Sequence, residues 1–179
     1  MNVSGRFDGV NEMLRNIALI EKKLMMAARN AAIENALHLL SEAVKKAPIY
    51  LGHIGPDGNL LRDKDGKIVK DHVGGKLRAS GLVVYEQFEL AEGTENGTIR
   101  VNTTLNQQTG RLSHKIEVLV GFNTIYAMEQ HENLSYRHID GEAKYLEKPL
   151  RENTDRFLRN VQREMIEALR RHNSNNGTT

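Results

Sequence analysis

The chain has no cysteine and no tryptophan among its 179 residues, and aromatic residues make up only 5% of it. The absence of cysteine excludes disulfides, thiol nucleophiles and zinc sites built on thiolates. Because aromatic rings are so few, aliphatic and methionine side chains must supply most of the core. A core of this modest kind suits a subunit that its neighbours complete better than an isolated, very stable enzyme.

The sequence also lacks long apolar runs. No stretch approaches the roughly 18 residues that a membrane span needs. Residues 1–8 do not show the basic-then-apolar order of a secretory signal. Since the absence of cysteine also fits a reducing cytosol, we expect a protein that is made in the cytoplasm and that has no membrane partner.

The net charge of +2 is too small to indicate nucleic-acid binding by itself, but the charges are unevenly distributed. Residues 45–78 are basic on balance, whereas residues 86–95 contain no Lys or Arg. The acidic residues of that second stretch are Glu86, Glu89, Glu92 and Glu95. Patches of opposite sign could meet head-to-tail in an oligomer, although a solvated surface with uneven charge would show the same pattern.

The spacing of apolar residues indicates helices at both ends of the chain. The first is expected to end before Pro48, because the residue before a proline avoids the α region. Pro149 suits the first turn of the last helix, where its missing N–H costs nothing. The pattern predicts helices over residues 11–46, 123–131 and 149–172. Residues 173–179 are predicted to form a disordered polar tail.

Alternating apolar residues between the helices predict strands over residues 82–91, 98–105 and 115–122. Residues 49–75 contain a glycine-bearing turn between short apolar pairs, which is typical of a hairpin, and we interpret them as an inserted arm. The expected fold is a single α+β domain over residues 1–172. It combines a long N-terminal helix, an antiparallel sheet of three to four strands with a protruding hairpin arm, and a long C-terminal helix packed on the sheet.

One group of residues could support catalysis. His131 and Glu132, with His138 downstream, carry side chains that can hold a divalent metal or move a proton. Their spacing is not that of a zincin, so hydrogen bonding at a helix end or interface is the alternative. The sequence has no nucleophile elbow, phosphate-binding loop or dinucleotide fingerprint. We therefore expect no enzyme activity and no cofactor, with a metal-dependent enzyme as a less favoured alternative.

Basic residues offer a second alternative, a DNA-binding accessory protein. They occur on the arm and on the last helix: Lys64, Lys67, Lys70, Lys76, Arg78, Arg156, Arg159 and Arg163. Acidic residues interleave with the arginines of the last helix, a pattern more typical of a solvated helical face with ion pairs one turn apart. Proximity to DNA remains compatible with this pattern, whereas sequence-specific binding is not favoured.

Three blocks of residues resemble a known family. Ala47-Pro48 followed by Gly75-Lys76-Leu77-Arg78-Ala79-Ser80 resembles a "Pro … Thr-Gly-x-Leu-Arg-x-Ser" signature. Tyr126-Ala127 followed by His131-Glu132 resembles a "Tyr-Ala … Glu" block, and residues 141–150 resemble the block that opens the last helix. This order is similar to that of the minor tail-component (head–tail joining, tail completion or neck) proteins of tailed bacteriophages. Two departures are Gly74-Gly75 in place of Thr-Gly and the long link over residues 49–73.

The resemblance implies a structural virion protein without catalysis, assembled in the bacterial host cytoplasm. It implies a ring of six-fold or twelve-fold symmetry in the neck, which connects the portal-bound connector or stopper to the tail tube or terminator. Genomic DNA would pass close to such a ring. A tail terminator or a minor capsid protein is the alternative within virion structure.

The resembling blocks also suggest which residues line contacts between subunits. The hypothesis names Lys76, Leu77, Arg78, Ser80, Tyr126, Glu129, His131, Glu132, Tyr145 and Pro149. Ordinary core and capping roles are the alternative for the same residues. If the hypothesis holds, substitution of Arg78 or Glu132 impairs ring or virion assembly and leaves the monomer folded.

Overall fold

The computed structural model describes residues 10–53, 55–70, 74–102 and 115–176. Its first element is the helix α1 (Val10–Lys46), which has 37 residues and confirms the prediction of a long N-terminal helix. Lys45 and Lys46 lie in its last turn, where cations favour the negative end of the helix dipole. The helix ends just before Ala47 and Pro48, as the proline requires.

In the described part of the chain, the short helix α2 (Lys76–Ala79) precedes four antiparallel strands. The strands are β1 (Gly81–Tyr85), β2 (Phe88–Gly93), β3 (Ile99–Val101) and β4 (Val118–Phe122). Their order in the sheet is β3-β2-β1-β4, and every pairing is antiparallel. The predicted α+β class and the antiparallel sheet are confirmed.

The predicted strand over residues 82–91 is in fact two strands joined by a tight turn. Glu86 and Gln87 form that turn with φ of 46° and 71°, the positive values of a type I′ turn. The sequence does not predict a turn at Glu86 and Gln87, because turns of this type usually contain Asn-Gly or another glycine. The strand predicted over 98–105 covers 99–101, and its residues 103–105 lie outside the described part. The strand predicted over 115–122 begins only at Val118.

The core lies between the C-terminal half of α1 and one face of the sheet. Leu40 and Val44 of α1 are fully buried against Val83 of β1 and Leu90 of β2. Alanines at intervening positions, such as Ala36, let the helix approach the strands closely. The core is thus aliphatic, in agreement with the composition.

The chain closes with α3 (Ala127–Glu132) and α4 (Glu147–Asn176). The last helix begins two residues before Pro149, and it continues past His172, so that residues 173–176 of the predicted tail are helical. Residues 177–179 lie outside the described part. Among the described residues, no helix has the length and apolar character that crossing a membrane requires.

The packing of α4 differs from the prediction. It runs antiparallel along α1, chiefly against that helix and not on the sheet. The side-chain amide of Asn35 donates a 3.0 Å hydrogen bond to the carbonyl oxygen of Phe157, and Nζ of Lys23 lies 3.1 Å from Nδ1 of His172. The physical reason is that α1 itself covers the apolar face of the sheet. The face of α1 that points away from the sheet is then left for α4 to pack against.

The arm contains the expected hairpin in a minimal form. A single bridge joins Arg62 and Ile68, and Oδ1 of Asp63 accepts 2.9 Å hydrogen bonds from the backbone N–H groups of Asp65 and Lys67. The N–H of His53 also donates to a carbonyl on the far side of the hairpin. Backbone bonds therefore hold three short segments of the arm side by side.

Candidate functional site

The motif that begins at Gly75 folds into α2, and its arginine points into the protein. Only 8% of Arg78 is exposed. Its Nε donates a 2.8 Å hydrogen bond to the carbonyl oxygen of Ala47, and Nη2 lies 3.1 Å from Oδ2 of Asp140. Nη2 also lies 3.4 Å from the carbonyl oxygen of Lys45. Arg78 therefore satisfies carbonyls that the end of α1 leaves without partners within the helix.

The residues around Arg78 complete this joint. Leu77 is buried, and the hydroxyl of Ser80 donates a 2.7 Å hydrogen bond to the carbonyl oxygen of Leu77, which closes α2. Gly75 precedes α2 with φ of 103°, a value that side chains disfavour. A β-carbon at Gly75 would lie 2.7 Å from the β-carbon of Glu95. The glycine is therefore needed for both its conformation and its lack of a side chain.

Tyr145 is the centre of a second buried joint. Its hydroxyl donates a 2.9 Å hydrogen bond to the carbonyl oxygen of Ala127. The ring packs edge-on against Phe122 and His131, with centroids 4.8 Å and 4.9 Å away. Burial raises the pKa of Tyr145 to about 12, so the hydroxyl stays protonated and acts as a donor. It ties α3 to the start of α4, next to the buried Pro149.

Charged residues form a network at the start of α4. Nδ1 of His131 lies 2.7 Å from Oε1 of Glu132, and its Nε2 accepts a 3.2 Å hydrogen bond from the backbone N–H of Glu147. Lys144 donates to Glu132 and lies 2.9 Å from Oε2 of Glu147. The hydrogen bond from Lys144 holds the pKa of Glu132 below its ordinary value, with a smaller contribution from His131. Both nitrogens of His131 thus serve to cap and connect helices.

The metal hypothesis named His131, Glu132 and His138. Within the described ranges, no three His, Asp or Glu side chains come together as a possible metal site. His131 is already engaged by Glu132 and Glu147, as described above. Nε2 of His138 is buried and has no hydrogen-bond partner among the described residues, and this burial lowers its pKa. The three predicted ligands therefore do not form a ligand set.

The basic residues of the last helix line a groove between α1 and α4. Arg156, Arg159 and Arg163 lie there, but Glu34 and Glu167 line the same groove. Arg163 also lies 3.3 Å from Glu164. Arg170 lines the groove as well, so the described lining combines four arginines with two glutamates, in the mixed pattern that the interleaved sequence indicates.

A pocket of about 480 Å³ lies where the arm leaves the body of the protein, and we call it the arm-base pocket. Its walls come from residues 48–52, 74–77 and 137–139 and from Leu60, Tyr126 and Gln130. Lys76 and Arg137 are the charged side chains among its described lining residues. The size is within the range of binding sites, and the charge is positive.

Two groups of exposed apolar side chains lie outside the lining of this pocket. The first, the α1 tip face, consists of Val10, Met13, Leu14 and Ile17, which are 49–63% exposed at helical spacing on one side of the first turns of α1. The second, the α3 surface, consists of Ile125, Met128 and Leu134, which are 76–102% exposed. Large apolar side chains this exposed are typical of contact surfaces when they cluster.

The structure divides the residues of the interface hypothesis. Leu77, Arg78, Tyr145 and Pro149 are buried within the chain and cannot line a contact with another subunit. Ser80 and His131 are partly buried and serve in the capping bonds described above. The exposed members are Lys76, Tyr126, Glu129 and Glu132. The expectation that substitution of Arg78 leaves the monomer folded is therefore revised, because the side chain holds the end of α1.

Sequence reasoning missed several surface residues. Ile125, Met128 and Leu134 of the α3 surface are too few and too unevenly spaced for periodicity to reveal them as an exposed surface. No sequence pattern identifies Arg137 as a pocket residue or Phe88 as an exposed aromatic residue. Their surroundings depend on segments that are distant in sequence.

The chain matches no protein-family model, no curated protein and no solved structure. These comparisons therefore neither support nor contradict the family expected from the short residue blocks. A function has to rest on the residues and on the surfaces that the fold presents.

Proposed function

We propose that this chain is a non-catalytic structural subunit of a tailed bacteriophage virion, which assembles into a ring in the neck where the head joins the tail. Six or twelve copies would contact the connector or stopper on one side and the tail tube or terminator on the other. The motif order supports the neck position. A tail terminator or minor capsid protein would use the same kind of self-assembling subunit.

The observation that carries the proposal is the separation of the two exposed apolar surfaces. The α1 tip face lies at the start of α1, and the α3 surface lies beyond its end, where Ala127 packs against Ala47. A helix of 37 residues is about 55 Å long at 1.5 Å per residue. One molecule thus presents two unlike apolar surfaces at opposite ends.

Such an arrangement fits a ring. A closed ring requires a heterologous interface, in which each copy offers two different surfaces to its two neighbours. The first turns of α1 also gain little from tertiary packing in the isolated chain, since the residues from Val10 to Leu19 are exposed. Helical turns without packing are marginal in water, so a neighbour that covers them would stabilise them.

The particle mass of the purified chain tests the proposal. Mass photometry and negative-stain imaging are expected to show rings whose mass is six or twelve times 20.2 kDa. Replacing Leu14 and Ile17 by Ser, or Ile125 and Met128 by Ser, is expected to yield folded monomers. Leu158→Ser, at a 59% exposed position on α4 outside both surfaces, is the matched control and should still form rings.

The location in the virion is tested separately. Gold-labelled antibody against the chain is expected to mark the joint between head and tail in virions of the phage that encodes it. A chain that stays monomeric at high concentration and is missing from the virion would refute the proposal.

A further inference from the structure

We infer that the turn between β1 and β2 of one copy inserts into the arm-base pocket of the next copy. This inference rests on the proposed function, a subunit that assembles with copies of itself. It names the partner of the pocket as an acidic, aromatic hairpin tip of the same chain.

The turn has an unusual conformation for its residues. Glu86 and Gln87 both have positive φ, although neither is a glycine or an asparagine. Each such residue carries a conformational cost, and strain of this kind clusters at sites that bind other molecules. Phe88 follows with 46% of its surface exposed, and Glu89 is exposed as well. The tip thus exposes an aromatic side chain and, next to it in sequence, the carboxylate of Glu89.

The pocket has complementary walls. Tyr50, Leu60 and Tyr126 supply aromatic and aliphatic surface, and Lys76 and Arg137 supply positive charge. No acidic side chain is among its described lining residues. Within the part of the chain that the structure describes, neither Lys76 nor Glu89 takes part in an ion pair. A pocket lined by both apolar and cationic side chains suits an exposed phenylalanine that is followed by a carboxylate.

The turn and the pocket lie at opposite ends of β1. At its start, Gly81 lies close to Leu40 and Val44 and is separated by Ser80 from α2, whose Lys76 and Leu77 line the pocket. At its end, Tyr85 lies near Arg29, which is further toward the start of α1 than Leu40 and Val44. Five strand residues separate the two ends by about 16 Å.

This separation means that a copy does not fill its own pocket with its own turn. The contact has to be made between copies, with the tip of one entering the pocket of the next. Because the two contacting surfaces differ, repetition of the contact closes a ring when the rotation between copies permits it.

Charge reversal provides the test. Lys76→Glu places a negative charge opposite the acidic tip, and Glu89→Lys places a positive charge opposite the basic pocket. Each variant alone is expected to raise the concentration needed for half-maximal ring assembly by about tenfold or more. Asp155→Lys makes the same change of charge as Glu89→Lys at an exposed position on α4, so it is the matched control for that variant and should assemble normally.

An equal mixture of the two variants is the decisive sample. In rings that alternate Lys76→Glu and Glu89→Lys copies, every tip meets a pocket of opposite charge, and even-numbered rings permit this alternation. Assembly in the mixture should return to within about threefold of the unmodified chain.

Failure of the inference can be told apart from failure of the proposed function. If the unmodified chain forms rings but each variant assembles equally well alone, or the mixture is not rescued, the tip–pocket contact is wrong and the ring proposal stands. If the unmodified chain forms no rings, both are wrong.

Cross-linking gives a second measurement that does not depend on charge. Because the chain has no cysteine, Gln87→Cys at the tip and Gln130→Cys in the pocket introduce the sole thiols of their copies. A mixture of the two variants is expected to yield a disulfide-linked dimer under mild oxidation. Gln87→Cys mixed with Gln162→Cys, an exposed position on α4, should not. Equal yields in both mixtures would overturn the contact.

Discussion

Nε of Arg78 lies 2.8 Å from the carbonyl oxygen of Ala47, the first residue after α1, and donates a hydrogen bond to it. The guanidinium also reaches Asp140 in the loop that precedes α4. One buried side chain therefore connects α2, the end of α1 and that loop. Arg78 and Ala47 belong to sequence blocks that were candidates for subunit contacts, and in the structure they hold the fold together.

Arg78→Met is expected to lower the free energy of unfolding by about 2–4 kcal/mol, because the carbonyls at the end of α1 lose a charged donor while they stay buried. Arg78→Lys should recover only part of this, since a lysine cannot reach several acceptors with a planar fork. Urea denaturation, monitored by circular dichroism, measures the free energy of unfolding of both variants. Lys76→Met, two residues earlier and exposed, is the control and should change stability by less than about 0.5 kcal/mol. A loss below about 1 kcal/mol for Arg78→Met would contradict this role.

The sequence predicts the elements with strong local signals. The long helices follow from apolar periodicity and from Pro48, and the hairpin at Asp63 follows from its turn residues. The turn at Glu86 and Gln87 is not predictable, because tertiary packing imposes a conformation that these residues disfavour locally. The packing of α4 on α1 is also a tertiary effect, since one helical apolar stripe fits either a sheet or another helix.

The candidate site is only partly predictable for the same reason. The blocks containing Arg78 and Tyr145 stand out in sequence, but burial decides whether such residues act on a neighbour or on their own chain. The arm-base pocket joins residues near 50, 76 and 137, and their proximity depends on the complete fold.

Tyr145→Phe removes the hydroxyl that donates to the carbonyl oxygen of Ala127 and keeps the buried ring. We expect a loss of about 1–2 kcal/mol in the free energy of unfolding, since the carbonyl stays buried without its donor. Tyr136→Phe removes a hydroxyl that donates to the exposed Glu129, and it should cost less than about 0.5 kcal/mol. Equal effects of the two substitutions in urea denaturation would argue against a buried joint at Tyr145.

His138 is expected to make the protein less stable in mild acid. Burial lowers its pKa below the ordinary 6.5, so the unfolded chain takes up a proton before the folded chain does. Stability from this group is complete above about pH 6.5 and is lost as the pH falls toward the lower folded value. His138→Gln should flatten the pH dependence of the melting temperature between about pH 7 and pH 5. His53→Gln, at an exposed histidine, is the control, and an unchanged pH profile for His138→Gln would exclude this contribution.

Gly75→Ala tests the joint before α2 through the backbone. The substitution combines a positive φ of 103° with close approach to the β-carbon of Glu95, and we expect it to cost about 2–4 kcal/mol of unfolding free energy. Gly66 also has a positive φ, 77°, but a β-carbon there would have no neighbouring atom within 4 Å. Gly66→Ala therefore measures the conformational cost alone, which we expect to be about 1 kcal/mol. Gly121→Ala has neither feature and should be nearly neutral. Chemical denaturation should therefore rank the losses as Gly75 first, Gly66 second and Gly121 last. If Gly75→Ala cost no more than Gly66→Ala, the approach of Glu95 would contribute nothing, and the joint at α2 would tolerate a side chain there.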